Sequence, residues 1–563
     1  MKRFQLFTLL SLLFIFSEAF AQDFRLGKVS IAEIEQKNHP TDTAAIAAIL
    51  YKKGVSRFEY NDQEGFIILT DVETRIKIYK KEGYQWANHR VWFYTGTNAN
   101  ERVSFSDANT FNIVNGKIEK TKLKSDGVFD EVINKFRAQK KITMPNVKEG
   151  SVIEYRYNVK TNLIGELRDW DFQTSIPVNH SEFISYVPEY FVFNVKQKGF
   201  VFPKVTTNKT ARTINYVDVT DYKDGTPAIR TPRKLDFVET VTKYAADNFP
   251  SIKEEEYVNN MDNYVSSVQH ELSMTQYPNQ AIKTYSTNWN SVVKTIYEYD
   301  DFGPELNKKG YFEEDLKKVI SNATTQNEKI VAILNFVKSN VKWNNYYGYS
   351  CDSGVKKAYK EKTGNVADIN LMLTAMLRSE GITANPVLVS TRSNGIALFP
   401  NRSAFNYVIA AVETSEGTML LDASDEFSVP NILPLRALNW YGRLIRKDGT
   451  SEEIDLMPKK TSNDIVLVSY SIDSEGKITG KSRRQCSDYN AMIFRDNVKG
   501  VKEDDYLDKL ENDQNKIEIS EYTRTNEKEL LLPFSETYSF TSNDLCEKID
   551  GKIYLNPMLF FQI

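Results

Sequence analysis

The sequence predicts a multidomain fold: a β-sandwich N-terminal domain, an α+β middle domain and a β-rich C-terminal domain. Three observations carry this reading. At 563 residues the chain exceeds what one hydrophobic core accommodates, and about 150 residues per domain gives three or four domains. Alternating apolar and polar residues, the strand signature, fill residues 58–241. Helical spacing then takes over in residues 325–381, and strands return after it.

The N-terminus has a positive head, Lys2 and Arg3, and an apolar run from Phe4 to Phe16 broken only by Gln5, Thr8 and Ser11. Ala19-Phe20-Ala21 follows. Residues 1–21 therefore read as a signal peptide cut after Ala21. The run is shorter than the roughly 20 residues of a bilayer span, and no cysteine follows it closely to take a lipid. No later stretch is apolar for long enough, so no membrane span is expected after cleavage. The 72 basic and 75 acidic residues are well mixed and leave a formal charge of -3, which gives no pull toward nucleic acid or anionic lipid.

Within residues 22–242, Thr41 to Leu50 reads as a short capped helix. Strands follow at Phe66–Leu69, Thr74–Tyr79 and Val152–Val159. In the last of these, Ile153, Tyr155, Tyr157 and Val159 share one face after a turn at Glu149-Gly150. The 31 tyrosines and 32 phenylalanines suit sheet packing, and equally a carbohydrate or peptide groove. Residues 243–322 read as a connector, with a strand-like run at Tyr264–Val268 and helices around Trp289–Asp300 and Glu313–Ser321.

The middle domain, residues 323–440, opens on a capping box, Thr325-Gln326-Asn327-Glu328. Ile330, Ile333, Leu334, Val337 and Val341 follow at helical spacing. A tyrosine-rich loop (Tyr346, Tyr347, Tyr349) leads to Gly364-Asn365-Val366-Ala367-Asp368. An apolar helix then runs through Ile369, Leu371, Leu373, Met376 and Leu377 to Gly381. Strands are expected at Pro386–Ser390, Phe405–Val412 and Thr418–Asp422.

Residues 455–563 return to strands, with a hairpin from Ile465–Val468 through Ser474-Glu475-Gly476 to Lys477–Thr479 and one short helix at Glu503–Leu510. The final apolar run, Met558 to Ile563, raises the expectation of an incomplete or oligomeric C-terminal domain. Three cysteines, Cys351, Cys486 and Cys546, are too few for a disulfide scaffold or a zinc site. A single bridge from Cys486 to Cys546 is open in an oxidising compartment, with Cys351 left free. No cofactor or metal motif is present.

The order of helix, glycine turn, apolar helix and strands over residues 325–425 resembles the transglutaminase-like (papain-like) superfamily. Members have a Gly-Asp-Cys turn at the start of the central helix, a histidine on a strand, and an aspartate at the end of the next. The resemblance puts the nucleophile position at Val366. It aligns Phe405-Asn406-Tyr407-Val408-Ile409 with the histidine strand, so the base position is Tyr407. Asp422, in Leu421-Asp422-Ala423-Ser424, matches the orienting carboxylate, and Asp368 the acidic residue after the turn. A valine has no proton to lose, and a phenol with a pKa near 10 stays protonated at neutral pH. The four histidines, His39, His89, His180 and His270, all precede the domain. No catalytic residue is therefore assigned. Tyr407 and Asp422, on adjacent strands, are expected to pair through the phenol proton.

Residues 61–241 resemble the β-rich domain of unknown function that precedes transglutaminase-like domains in secreted bacterial proteins, through Arg75-Ile76-Lys77-Ile78-Tyr79 and Val147 to Tyr155. That family implies no catalytic residues to carry over; with the signal peptide, the expectation is a secreted, periplasmic protein. Three roles follow as expectations. One is a non-catalytic module binding a peptide, a glycan or an envelope protein in an open cleft walled by Tyr346, Tyr347 and Tyr349, with Asn365 and Asp368 nearby. Another is a hydrolase using carboxylates such as Asp368 or Asp422, which requires a carboxyl pair about 5 to 9 Å apart in a pocket. The third is a structural role, with the space around Val366 and Tyr407 filled.

Overall fold

Long alternating runs near the N-terminus pair into an eight-stranded sheet. The computed structural model describes residues 24–561 apart from 62, 97–99, 135–136, 166, 221–228, 279, 286–287, 398–399, 401–403, 416 and 516. The signal-peptide reading of residues 1–21 lies outside these. The chain divides into two compact units, Met1–Ser286 and Thr287–Ile563.

In the first unit the sheet order is Lys204–Thr220, Ile229–Phe249, Val178–Pro188, Ala47–Asn61, Gly65–Ile78, Val152–Thr161, Arg102–Val114 and Lys117–Lys122. All neighbours are antiparallel except Ala47–Asn61 with Val178–Pro188. Period-two alternation puts Ile68, Val72 and Ile76 on one buried face. Two smaller sheets pack there. One, built on Phe191–Lys198 and Ser267–Thr275, brings Phe191 and Leu272 against Phe58 and Phe66. The other, built on Asn88–Tyr94, Arg137–Thr143 and Val128–Asn134, brings Val91 against Val103 and Val159. Gly54 is required by this packing, because a Cβ there would lie 2.4 Å from the Trp170 ring. The strand Ser267–Thr275 belongs to this unit, whereas the helices from Trp289 onward belong to the second.

On the opposite face Arg75 and Lys77 are buried beneath the helix Ile31–Glu35. Arg75 pairs with Glu33 at 2.6 Å and Glu154 at 2.5 Å. Lys77 Nζ donates to the Ile34 and Gly150 carbonyls. Burial lowers the Lys77 ammonium to about 8. The residues that carried the sequence resemblance here thus fasten the N-terminal segment to the sheet.

The helix expected over Thr41 to Leu50 is not formed. Ala47 to Leu50 instead open the strand Ala47–Asn61, and the helix lies earlier, at Ile31–Glu35, with a capping box between Ser30 and Glu33. Ala47, Ala48 and Ile49 are almost wholly buried between two long neighbouring strands. Tertiary pairing overrides the helical preference of alanine.

The second unit begins with the helices Trp289–Tyr297, Glu313–Val319 and Gln326–Asn340, followed by Val355–Glu361 and the central helix Val366–Ser379. A five-stranded antiparallel sheet follows, in the order Gly417–Leu421, Tyr407–Thr414, Ala384–Val389, Tyr441–Ile445 and Ser451–Asp455. Both faces are covered. Val408, Ala410 and Val412 face the central helix, while Tyr407, Ile409 and Ala411 face Leu433, Ala437 and the side chains of Tyr489 and Met492. Sealing on both sides explains why these strands read as continuous apolar runs.

The C-terminal part of this unit is a four-stranded sheet, Asp464–Ile472, Ile478–Cys486, Phe534–Ser542 and Glu518–Thr525. It carries two helices, Asp488–Val498 and Glu503–Asp513, where the sequence predicts one. Ala491-Met492-Ile493-Phe494 is an unbroken apolar run, so its helical period is hidden. All three cysteines are free, so the Cys486 to Cys546 bridge is not formed; Cys486 is buried beside Asp464. In the C-terminal run, Leu559 is buried and Phe560 packs edge-on against Phe540 at 5.3 Å, so part of that run belongs to a core. Among the described residues no helix is long and apolar enough to cross a membrane.

Candidate functional site

The central helix starts where a capping box places it. The Asn365 side chain accepts from Asp368 N at 2.8 Å, and Asp368 Oδ2 accepts from Asn365 N at 3.0 Å. Asp368 also accepts from Gly354 N at 2.9 Å, which ties the preceding loop to the helix. Gly364 is required at this turn, because a Cβ would lie 2.7 Å from the Asp368 Cβ. Asn365 Nδ2 reaches Ser350 O at 2.9 Å. Asn365 and Asp368 therefore build the turn itself.

Val366, the first residue of this helix, is completely buried and belongs to the same apolar cluster as Tyr407. Tyr407 is also completely buried, and its hydroxyl donates to Asp422 Oδ2 at 2.7 Å. The pairing expected from adjacent strands is present. Asp422 is fully engaged: Oδ1 accepts from Asn370 Nδ2 at 2.9 Å, Ser424 N at 2.8 Å and Ser424 Oγ at 2.7 Å. These four donors match the roughly four acceptor sites of a carboxylate.

Arg436 closes the other side. Its Nε donates to the Tyr407 hydroxyl at 3.1 Å, Nη2 to Ser424 Oγ at 3.2 Å and Nη1 to Asp425 Oδ2 at 3.1 Å. The two hydroxyls, Tyr407 and Ser424, each donate a hydrogen bond to Asp422 and accept one from Arg436, so they bridge a carboxylate and a guanidinium. Burial and the Asp422 charge push the Tyr407 phenol well above its ordinary value, Arg436 opposing. For Arg436 burial is outweighed by Tyr407, Asp422 and Asp425, which hold the guanidinium charged.

Lys338 lies at the edge of this cluster, donating to the Ser428 carbonyl at 2.5 Å. Burial lowers its ammonium to about 8 against the opposing pull of Asp425, Asp422 and Glu426.

The three loop tyrosines separate. Tyr347, exposed, stacks on Trp343 at 5.4 Å and meets the Tyr407 ring edge-on at 5.7 Å. Trp343 in turn lies 4.4 Å from the Arg436 guanidinium. Tyr346 is exposed, and its backbone engages, the carbonyl accepting from Trp343 Nε1 at 3.0 Å and the amide donating to Asn344 Oδ1 at 3.0 Å. Tyr349 turns inward and packs against the core. Tyr346 and Tyr347 form an outer shelf over a sealed centre.

Cys351 is not placed as a reactive thiol. It is buried, and burial together with Asp368 and Glu305 pushes its thiol well above the ordinary value. Asn370, Ser424, Arg436 and Trp343 were not singled out from sequence. Asn370 was detectable as the polar residue one helical turn after Val366 in an apolar stretch, and Ser424 by its proximity to Asp422. Arg436 had no local signal. Among the described residues, no group of three or more His, Cys, Asp and Glu is placed to hold a metal ion.

The model of the Transglutaminase-like superfamily matches residues 314–417, and that of a domain of unknown function with a solved structure, DUF3857, matches residues 70–224. The chain thus carries a transglutaminase-like domain preceded by that β-rich domain. Val366 and Tyr407 fall inside the first match, and Asp422 lies just beyond it. A solved structure from Parabacteroides distasonis ATCC 8503, described as a "putative protease", is 10% identical, with 92% of this chain and 95% of that one covered at a TM-score of 0.48. Another, from Cytophaga hutchinsonii, described as a "putative cysteine protease", is 14% identical over 47% of this chain and 78% of that one, with a TM-score of 0.18. No curated protein matches the chain.

Proposed function

We propose that this chain is an exported, non-catalytic transglutaminase-like protein that serves as a scaffolding and binding module of the cell envelope. One observation carries the reading: the space of the nucleophile and base is filled by Val366 and Tyr407, both without exposed surface. The Tyr407 hydroxyl is held in a closed network with Asp422, Ser424 and Arg436. Asp422 has no exposed surface from which to reach a substrate or water, which also argues against carboxylate-based hydrolysis. The sealed centre favours scaffolding within the domain. Binding of a peptide, a glycan or an envelope protein then falls to the outer shelf of Tyr346 and Tyr347, beside Trp343. Aromatic rings suit such ligands, because they give contact area at low entropic cost.

The test has two readouts on the full chain. Ammonia release and new amine ends are followed with polypeptide and peptidoglycan-fragment substrates, for the natural chain and for Asp422→Asn. Equal background rates support the reading; turnover that disappears in Asp422→Asn refutes it. A thermal-shift screen with envelope peptides, peptidoglycan fragments and oligosaccharides then tests the shelf, since a ligand of the native state raises the melting temperature. The shift should be lost in Tyr347→Ala.

A further inference from the structure

The face of the eight-stranded sheet that carries Arg75 holds, at its other end, a cavity of about 240 Å³ lined by Arg57, Tyr186, Arg212 and Glu239. Cross-strand register assembles it: Arg57 lies beside Tyr186 on the parallel neighbour, and Glu239 and Arg212 come from the next two strands. The site lies wholly within the first unit, whereas Val366, Tyr407 and Asp422 belong to the second.

The two arginines differ. Arg212 is spent: Nη2 pairs with Glu59 at 2.6 Å, while Nη1 meets Glu239 at 3.3 Å and the Phe58 carbonyl at 2.8 Å. Arg57 has no hydrogen bond or ion pair from its side chain among the described residues, and its Nε is buried without a partner. Nearby on this face Glu182 is paired between Lys53 and Lys243. A half-buried guanidinium left unpaired on a cavity wall is costly, and the oxygens of a bound anion offset that cost.

We infer that this cavity is a carboxylate-binding site, in which Arg57 grips the acid group of a small organic acid or of a peptide end and the Tyr186 hydroxyl adds a hydrogen bond. The planar fork of arginine matches two carboxylate oxygens. A single negative charge fits best, because Glu59 and Glu239 stand close by and repel a dianion such as phosphate. The volume equals that of about eight waters at roughly 30 Å³ each, enough for one amino-acid-sized group.

Calorimetric titration of the full chain with N-acetyl-L-alanine and with its neutral N-methylamide tests the site. The acid is expected to bind and the amide not. Arg57→Gln should weaken the acid by roughly tenfold or more, the scale of a lost charge-assisted pair, and Tyr186→Phe by less. Arg57→Gln strands no partner, so its melting temperature should match that of the natural chain, and Arg57→Lys separates charge from fork geometry. A pentapeptide acid that binds more tightly than N-acetyl-L-alanine assigns the site to peptide ends, and equal affinity assigns it to small acids. The inference is overturned by no heat at millimolar acid, by equal binding of the amide, by unchanged affinity in Arg57→Gln, or by tighter binding of inorganic phosphate.

Discussion

Replacing Tyr407 by phenylalanine removes one oxygen and leaves the ring in place. That oxygen donates to Asp422, accepts from Arg436 and lies 2.8 Å from Ser424 Oγ. Asp422 has no exposed surface, so water cannot replace the lost donor. The Arg436 side chain keeps 21% exposure, so its Nε is partly rehydrated. A buried group deprived of its partner costs roughly 1–3 kcal/mol, with charged groups toward the upper end. We therefore expect Tyr407→Phe to lose about 2–4 kcal/mol, most of it from the stranded carboxylate. Urea unfolding of the natural chain, Tyr407→Phe, Asp422→Asn and the double variant gives the loss as a shift in midpoint at constant slope. The cycle should return a coupling of about 1 kcal/mol or more. A loss below about 0.5 kcal/mol, the size of an indifferent surface substitution, or no coupling, refutes a structural role for this network. A gain in stability would instead mark Tyr407 as a strained functional residue.

Alkylation at pH 8 should modify the half-buried Cys546 first, with Cys351 and Cys486 protected; burial pushes the Cys486 thiol to about 11 and the Cys351 thiol well above its usual range. Reaction of Cys351 at the rate of a free thiol would contradict its placement. Asp368→Ala should cost about 2–4 kcal/mol in urea unfolding, because it strands the buried Asn365 amide and the half-buried Gly354 amide at the helix start; a loss confined to the roughly 1 kcal/mol of an ordinary cap would refute that. His270 is buried with both ring nitrogens unpartnered, and burial lowers its imidazole to about 4. The unfolded chain takes up this proton near pH 6.5 and the folded one only near 4, so stability is lost as pH falls between them, by about 3 kcal/mol in all. His270→Phe, surrounded by Phe183, Phe193 and Tyr244, should flatten that part of the melting-temperature profile; an unchanged slope would refute it.

How much of this was legible in the chain depends on how local each signal was. The box from Thr325 to Glu328 is written in four consecutive residues and is present with both of its bonds. Tyr407 and Asp422 were legible as a pair because consecutive strands fix their proximity. Arg436 reaches the site from a turn after Pro434, where neither period nor motif marks it. Ala47 and Ala48 misled because they are held in a strand by pairing with Ile78 and Lys77, and the next residue, Ile49, pairs with Val178, more than a hundred positions away. The cavity at Arg57 was equally silent, since its four residues come from four strands and each reads as an ordinary outward-facing position.

The last question is whether two substitutions alone separate this domain from chemistry. If they do, Val366→Cys with Tyr407→His, in a Cys546→Ser background, should supply a thiol at a helix N-terminus beside an imidazole that Asp422 orients. The geometry predicts otherwise. Position 366 has no exposed surface, and Arg436 lies 5.8 Å from the Tyr407 ring with its charge directed at the base position. A guanidinium so placed disfavours a second positive charge and so lowers the imidazole's proton affinity. The double reversion should therefore react with iodoacetamide no faster than the buried native thiols. Adding Arg436→Ala removes both the cover and the charge, and should raise the rate at least tenfold if the imidazole regains about one pKa unit. Fast labelling before that third change would show that the centre is open to solvent reagents, and the proposed lack of catalysis would then rest on two side chains alone.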